Sequence, residues 1–211
     1  MCSSDLLRTP LAGLQAHTEL ALAQPTSEPI RAQLEQVHRA TIRTARLANQ
    51  LLALARAEPG ARPSTAPLDL KSLAEGEAEA WVRQSLDRDI DLGFELEPAR
   101  LDGDAFLLRE ALSNLVHNAL EYSQRGGRVT VRTGRRNGAA FLEVEDDGPG
   151  IAPQERERVL ERFYRVPGTP GTGSGLGLAI VREIAASHGA AVSITDGAAG
   201  GCRVGITFPH G

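Results

Sequence analysis

Three boxes of sequence decide the fold of this chain, and they read Asn114-Leu115-Val116-His117-Asn118-Ala119, Asp146-Asp147-Gly148-Pro149-Gly150-Ile151 and Gly173-Ser174-Gly175-Leu176-Gly177-Leu178. Each box joins polar or glycine residues to an apolar run. Because three such boxes rarely occur together in a fixed order by chance, we expect them to form a single nucleotide pocket.

The asparagine box, residues 114–119, lies in a stretch with helical spacing. Apolar residues recur every three or four positions between residues 107 and 122, which predicts a helix with one buried stripe. At about 100° per residue, Glu110, Asn114, Asn118 and Glu121 fall within roughly 80° of one another on a different face. Side-chain oxygens on such a polar face suit Mg²⁺, which prefers oxygen ligands and shares substrate phosphates. For the two asparagines alone, a solvated helix face is the simpler alternative.

The first glycine box, residues 146–151, follows an alternating stretch from Phe141 to Glu145 whose period of two predicts a half-buried strand. Asn137-Gly138 before it is typical of a type I′ hairpin, which would pair this strand with Arg128 to Arg132. Asp146 at the strand end, followed by Gly-Pro-Gly, presents a carboxylate beside backbone that lacks Cβ atoms. A purine amino group could dock there, although the same pattern alone also fits an ordinary turn.

The second glycine box, residues 173–178, opens an apolar helical run. Glycine-rich backbone leading into a helix N-terminus offers free N–H groups and the positive end of the helix dipole, which together bind phosphate. The spacing differs from the dinucleotide-binding fingerprint, because the last glycine follows after two residues rather than three and no strand is predicted before it.

In this order the boxes resemble the asparagine and glycine boxes of the sensor histidine kinases, within the superfamily of Bergerat-fold ATP-binding domains. Residues 161–165, Glu-Arg-Phe-Tyr-Arg, resemble the F box of that family, and Gly200-Gly201 resembles its terminal glycine motif. The resemblance implies ATP and Mg²⁺ as cofactors. It implies that Asp146 accepts from the adenine amino group, that Tyr122 lines the base, and that Asn118 and Asn114 hold Mg²⁺ and phosphate. The other residues implied in nucleotide binding are Gly148, Gly150, Ile151, Phe163, Gly173, Gly175, Leu176, Gly177 and Leu178.

The amino-terminal segment Ser4 to Leu11 resembles the H box of the family, whose usual form is Ser-His-Glu-Leu-Arg-Thr-Pro-Leu. The phosphoacceptor histidine position holds Asp5, and the neighbouring acidic position, the usual general base, holds Leu6. Since phosphotransfer needs a nucleophile held in line with the leaving group, we expect autophosphorylation to be lost. Thr9 occupies the position implied in dephosphorylating a response regulator, although an N-terminal cap before Pro10 fits it equally well.

Two further departures from the family pattern concern the phosphates. Glu121 stands where the family usually has a basic residue, and a carboxylate there would repel triphosphate unless it helps to hold Mg²⁺ or turns to solvent. The lid between Arg165 and Gly173 contains neither lysine nor arginine, which leaves Arg162 and Arg165 as the nearest cations. The histidines show no metal-like spacing and are interpreted as surface or boundary residues: His17, His38, His117, His188 and His210.

Composition fits a two-unit chain, with 211 residues, 41% hydrophobic and 24% charged residues, and a net charge of −4. Nucleic acid is not an expected partner, because no basic patch is interleaved with aromatic residues. No apolar run approaches the roughly 20 residues of a membrane span. The resemblance to sensor histidine kinases implies the cytoplasmic portion of an inner-membrane sensor, attached only through upstream segments. Cys2 and Cys202 are too few for a disulfide framework, which suits a reducing compartment.

The predicted fold class is α+β, with three segments along the chain. Residues 1–58 form a helical hairpin for dimerisation and phosphotransfer, residues 59–67 a linker, and residues 68–211 an α/β sandwich that binds ATP. Two helices cannot enclose a core alone, so a second copy should complete a four-helix bundle, making the chain a homodimer. The second helix carries a heptad seam for this contact, formed by Leu34, Val37, Thr41, Thr44, Ala48, Leu51 and Ala55.

The leading interpretation is the cytoplasmic part of a two-component sensor histidine kinase that binds MgATP, autophosphorylates, and passes phosphate to an Asp of a response-regulator receiver domain. Asp5 and Leu6 remove the autophosphorylation step in this chain. One alternative is a non-enzymatic dimeric signalling module that binds nucleotide to set its conformation. Another is an ATPase of the chaperone or mismatch-repair type, which is disfavoured because those enzymes commonly place a Glu where this chain has Asn114.

Overall fold

The computed structural model describes residues 3–24, 27–58, 64–169 and 174–209, with side chains described from residue 12 onward. The chain divides into two compact units, Met1–Ala55 and Arg56–Gly211. Among the helices so described, none is both long enough and apolar enough to cross a lipid bilayer.

The first unit is a helical hairpin of α1 (Ser3–Leu22) and the larger part of α2 (Glu28–Ala57), as the periodicity predicts. A polar contact joins the two helices, since buried Thr18 places its Oγ1 2.9 Å from Nδ1 of His38. Exposure varies along the predicted seam of α2. Thr41 is buried, whereas Val37 and Leu51 are 49% and 62% exposed. Among hairpin residues whose side chains are described, seven large apolar side chains are exposed in the single chain: Leu14, Leu20, Ile30, Val37, Ile42, Leu47 and Leu51.

The second unit alternates helices and strands. Its helices are α3 (Leu70–Glu75), α4 (Ala78–Asp87), α5 (Ala105–Tyr122) and α6 (Gly177–Ser187). Its strands are β1 (Ala66–Asp69), β2 (Asp91–Leu96), β3 (Arg100–Gly103), β4 (Arg128–Arg136), β5 (Ala139–Asp146), β6 (Ala191–Asp196) and β7 (Cys202–Thr207). Two short 3₁₀ turns, Pro153–Glu155 and Arg158–Leu160, precede α6.

Five strands form one mixed sheet in the order β2-β4-β5-β7-β6, and β1 pairs with β3 separately. Only β2 and β4 run parallel within the larger sheet. Alternate side chains, such as Val131, Val144 and Ile206, are fully or almost fully buried on the face that α5 and α6 cover. One helix layer on one sheet face confirms the predicted α/β sandwich.

The hairpin between β4 and β5 confirms the expected turn. Asn137 and Gly138 have φ angles of 52° and 83°, and positive φ at both central positions is the requirement of a type I′ turn. Trp81 of α4 is 4% exposed and belongs to the core of this unit.

The opposite face of the sheet is held by charge pairs. Glu143 is only 5% exposed, yet it lies on this face with Glu145, Arg132 and Arg203. Arg203 Nη2 donates to Glu145 Oε2 at 2.8 Å, and Arg132 Nε donates to Glu95 Oε2 at 2.7 Å. Partly buried carboxylates are tolerated here because each has a guanidinium partner.

Candidate functional site

One histidine, His188, joins the start of α5 to the end of α6. Asp104 caps α5 through Oδ1, which accepts from the backbone N–H of Phe106 at 2.9 Å and of Leu107 at 3.2 Å. The Asp104 backbone N–H donates to Nε2 of His188, just beyond α6, at 3.0 Å. Nδ1 of His188 lies 2.8 Å from the carbonyl oxygen of Ile184. The two helices are therefore held in a defined relation, and His188 has a structural role at their boundary.

The polar face of α5, formed by Glu110, Asn114, Asn118 and Glu121, meets the N-terminus of α6. Asn114 is 3% exposed, and its Nδ2 donates to the Glu110 carbonyl oxygen at 2.8 Å. A Cβ added at Gly177 would lie 3.2 Å from Asn118 Oδ1 and 3.4 Å from Asn114 Oδ1. Glycine thus permits this close approach, and it brings the asparagine box and the second glycine box together.

The N-terminus of α6, which lies beside Asn114 and Asn118, also presents backbone N–H donors. The first N–H groups of a helix have no intrahelical acceptor. Leu176, which precedes the helix, has an apolar side chain that cannot cap them. Eleven residues of helix also place a partial positive charge at this end. The arrangement is suited to an anion, and phosphate is the commonest one bound this way.

Asp146 lies at the end of β5, on the helix-covered face of the sheet, because it pairs in register with fully buried Val129. Its Oδ1 accepts from the N–H of Gly148 at 2.9 Å and from the N–H of Cys202 at 3.3 Å. Burial raises the pKa of Asp146 above its ordinary value, although these two N–H groups oppose the effect. A desolvated carboxylate held in this way is a strong acceptor for an amino group.

The F box packs against the second glycine box. Phe163 is 73% exposed, and its N–H donates to the Gly175 carbonyl oxygen at 2.9 Å. Gly175 has φ +70°, and a Cβ there would lie 2.7 Å from the Phe163 carbonyl carbon, so only glycine fits without rearrangement. The next residue, Tyr164, hydrogen-bonds through its hydroxyl to Glu155 and lies under Arg158, whose guanidinium carbon is 4.3 Å from the ring centroid.

The remaining predicted residues surround these contacts. Gly148 lies against Tyr122, since a Cβ at Gly148 would be 2.8 Å from the Tyr122 carbonyl oxygen. Gly150 lies against Gly201 in the same way, at 2.9 Å from its carbonyl oxygen. Leu176 is buried, and Ile151 and Leu178 are half-buried. Gly173 lies outside the described residues. Asp5 and Thr9 belong to the helical backbone of α1, where their side chains are not described.

The charged residues expected near the phosphates form ion pairs or hydrogen bonds with other residues of the same unit. Glu121 pairs with Arg88, whose Nη2 is 2.6 Å from Oε2, so the carboxylate takes a cation as its partner. Arg162 is 3.8 Å from Glu183, and Arg165 Nη2 donates to the Thr169 carbonyl oxygen at 3.3 Å. Among residues whose side chains are described, no three His, Cys, Asp or Glu form a metal-binding group.

Two residues that support Asp146 escaped the sequence analysis. Glu145, on the opposite sheet face, accepts from the Ala198 N–H at 2.6 Å and holds the turn between β6 and β7. Cys202 follows that turn and donates its N–H to Asp146. The Gly200-Gly201 pair just before Cys202 is the sequence feature from which the contact between Cys202 and Asp146 could have been predicted. The contact between Glu145 and Ala198 joins residues 53 positions apart, so no local sequence pattern indicates it.

The Cys202 thiol offers a test of this packing. Burial raises its pKa to about 12, and the neighbouring Asp146 carboxylate adds to the effect. At pH 8 the thiolate fraction is then about 10³-fold smaller than that of an ordinary cysteine. We expect iodoacetamide to modify Cys202 at least about 100-fold more slowly in the folded chain than in urea, by peptide mass mapping. Similar rates in both conditions would contradict the burial of this strand end.

Two family models match the chain. The model of histidine kinase-, DNA gyrase B- and HSP90-like ATPases matches residues 103–211, and the His Kinase A phospho-acceptor domain matches residues 4–60. The sensor protein kinase PmrB of Pseudomonas aeruginosa is 38% identical over 206 residues, which cover 96% of this chain and 43% of PmrB. The chain therefore spans less than half the length of this curated relative.

Solved structures show the same likeness. The mycobacterial sensor histidine kinase MprB is 36% identical, with a TM-score of 0.62 over 68% of this chain and 97% of that one. Full-length ShkA, solved in complex with AMPPNP, is 27% identical, with a TM-score of 0.71 over 98% of this chain and 44% of that one. The fold, the joined boxes and these matches define a kinase-type ATP-binding domain preceded by a phospho-acceptor hairpin. The chain belongs to the sensor histidine kinases of two-component systems.

Proposed function

We propose that this chain is the dimerisation and ATP-binding portion of a sensor histidine kinase and that its second unit binds MgATP. The observation that carries the proposal is the approach of Gly177 to Asn114 and Asn118, which places the N-terminus of α6 against the polar face of α5. Helix N–H groups facing amide oxygens suit a phosphate chain together with its cation.

In this proposal the base and the phosphates are held by different parts of the site. Asp146 accepts from the adenine amino group, and Tyr122 lines the base. Asn118 and Asn114 provide amide oxygens for Mg²⁺, a hard cation that commonly keeps several waters. The surrounding backbone and apolar contacts come from Gly148, Gly150, Ile151, Phe163, Gly173, Gly175, Leu176, Gly177 and Leu178.

The phosphotransfer side of the proposal depends on the hairpin. In the family the hairpin carries the acceptor imidazole, but here Asp5 offers carboxylate oxygens and Leu6 cannot accept a proton. We infer that this chain does not autophosphorylate. Thr9 retains a hydroxyl that can position water, so removal of phosphate from a response-regulator receiver domain is the activity we assign to this end of the hairpin.

A second candidate function is a non-enzymatic dimeric module that binds nucleotide to set its conformation, and Asp5 with Leu6 is the observation that favours it. Incubating the full chain with radiolabelled ATP, and separately with a phosphorylated receiver domain, separates the candidates. Loss of phosphate from the receiver domain supports the enzyme, whereas stable labelling of the chain itself would overturn the inference that autophosphorylation is lost. Nucleotide binding by calorimetry without labelling supports the module, provided that added phosphorylated receiver domain also keeps its phosphate. Absence of nucleotide binding would contradict both.

Assembly is expected to depend on the hairpin, which we place at residues 1–58, before a linker at 59–67 and the ATP-binding domain at 68–211. Val37 and Leu51 are exposed along α2, and burying such side chains against a second copy would contribute roughly 1.5 to 3 kcal/mol each. We therefore expect a homodimer at micromolar concentration. Light scattering should show that Val37→Glu with Leu51→Glu gives a monomer, whereas Glu35→Gln, on the same helix, leaves the dimer intact. A monomeric unaltered chain would exclude the four-helix bundle.

A further inference from the structure

The Glu121 carboxylate lies on the polar face of α5, three residues beyond Asn118. Side chains three residues apart on a helix have Cβ atoms about 5 to 6 Å apart. Any polyphosphate held by Asn118 is therefore close to Glu121, and two anions at this separation repel each other. The side chain of Glu121 is 23% exposed, so water screens this repulsion only in part.

Arg88, the residue that follows α4, supplies the missing positive charge. Its Nη2 donates to Glu121 Oε2 at 2.6 Å. Its Nη1 donates to the Leu120 carbonyl oxygen at 3.0 Å, in the last turn of α5. A cation is favoured at this end of a helix, where the dipole is negative. The guanidinium is thus fixed by two bonds beside the carboxylate, and the ion pair replaces a net negative charge at the edge of the phosphate site.

We propose that Arg88 is a specificity-determining residue of the nucleotide site, because by neutralising Glu121 it allows the site to bind the polyphosphate of a nucleotide as well as the nucleoside. Arg88 has this role only if the site binds MgATP, so the inference rests on the proposed function. Arg88 acts through Glu121, so it is a positioning residue that need not touch the nucleotide itself.

A second ion pair between the same parts of the fold provides a matched control. Arg109 Nε, at the start of α5, is 3.0 Å from Glu77 Oε1, just before α4. Arg109 lies about 140° around α5 from Asn114, away from the polar face. The side chains of Arg88 and Arg109 are similarly exposed, at 40% and 44%. Loss of either pair therefore removes a comparable link between α4 and α5. Only the loss of Arg88 takes the guanidinium partner from Glu121, whose Oε2 then keeps His117 Nε2 at 4.0 Å.

The experiment is a calorimetric affinity series with adenosine, AMP, ADP and ATP, each with Mg²⁺, on the full chain. Arg88→Gln should weaken ATP binding roughly 5- to 30-fold, as expected for a unit charge about 8 Å away at an effective dielectric constant of about 20 to 40. Adenosine affinity should change less than about twofold, because the nucleoside carries no charge. Arg109→Gln should leave the whole series unchanged. Arg88→Lys, which keeps the charge, should retain most of the ATP affinity.

The double variant Arg88→Gln with Glu121→Gln decides the mechanism. If Arg88 acts by neutralising Glu121, removing both charges should restore ATP affinity to within about threefold of the original. Equal losses for ATP and adenosine, or a double variant as weak as Arg88→Gln, would overturn the inference. Should Arg88→Gln fail to fold by circular dichroism, Glu121→Gln makes the complementary comparison: with Arg88 kept and its carboxylate partner removed, ATP affinity should rise while adenosine affinity stays unchanged. An unaltered chain that binds no member of the series would refute the proposed function itself, whereas ATP binding that ignores Arg88 would refute only its role.

Discussion

Replacing Asp5 by His together with Leu6 by Glu is expected to raise autophosphorylation about 10²- to 10⁴-fold above the level of Asp5→His alone. The histidine restores an imidazole nucleophile, and the glutamate restores a base that takes its proton. Asp5→His alone should restore little, because Leu6 cannot accept that proton. The product is measured as protein phosphate that is labile in acid and stable in base, after incubation with MgATP.

The control for this experiment is Asp5→Asn with Leu6→Glu, which has the base but lacks an imidazole and should remain unlabelled. A weak response of the double variant, with ATP bound normally, would implicate Glu121 and the cation-poor lid between Arg165 and Gly173, because the γ-phosphate would then be held poorly in line. Robust labelling of the unaltered chain would overturn the account of Asp5, and mass mapping would then identify the residue that carries the phosphate.

Asp146→Asn is expected to weaken ATP binding by about 1.5 to 3 kcal/mol, the range for a hydrogen bond to a charged group, which is about 10- to 150-fold in affinity. The amide can keep Oδ1 as an acceptor for the Gly148 and Cys202 N–H groups, but it loses the negative charge that binds the adenine amino group. Calorimetry measures the change. Asp147→Asn is the matched control, because its exposed neighbouring carboxylate has no assigned contact with the base.

Although Asp146→Asn should weaken ATP binding, it should not lower the stability of the folded chain. Burial raises the pKa of Asp146, so ionising it costs more in the folded chain than in the unfolded chain. The resulting destabilisation is absent below the ordinary pKa of an aspartate and complete above the raised value, which makes stability fall as pH rises through this window. At neutral pH the variant should therefore unfold at the same or a higher temperature without nucleotide. Lower stability together with weaker binding would mean that Asp146 is a structural residue.

Local patterns predicted the elements of the fold well, because hydrophobic period and turn chemistry are properties of neighbouring residues. The period of two along Phe141 to Glu145 predicted β5, and Asn137-Gly138 predicted the turn before it. The helical spacing around Asn114 likewise predicted α5. Each of these features depends on a few residues close together in sequence, so each is visible without tertiary contacts.

The contacts that complete the site could not be predicted in the same way. Glu121 was expected to repel triphosphate unless it held Mg²⁺ or turned to solvent, and its pairing with Arg88, which lies 33 residues earlier in the chain, was not predicted. The approach of Gly177 to Asn118 depends on how two helices pack, and His188 fixes that packing from beyond the end of α6. Such pairs have no shared sequence period, and only the folded arrangement shows them.

The alternation of β5 gives two adjacent carboxylates separate tasks. Asp146 faces the helices, while Glu145 faces the charge pairs and the turn at Ala198. A slip of one residue between β4 and β5 would exchange them, turning the longer glutamate inward and the aspartate outward. The type I′ turn at Asn137-Gly138, distant from the nucleotide site along the strands, therefore sets which acid faces the nucleotide. Selection for ligand recognition would then act on a two-residue turn that touches no ligand, and single-residue insertions there should be rarer than paired ones.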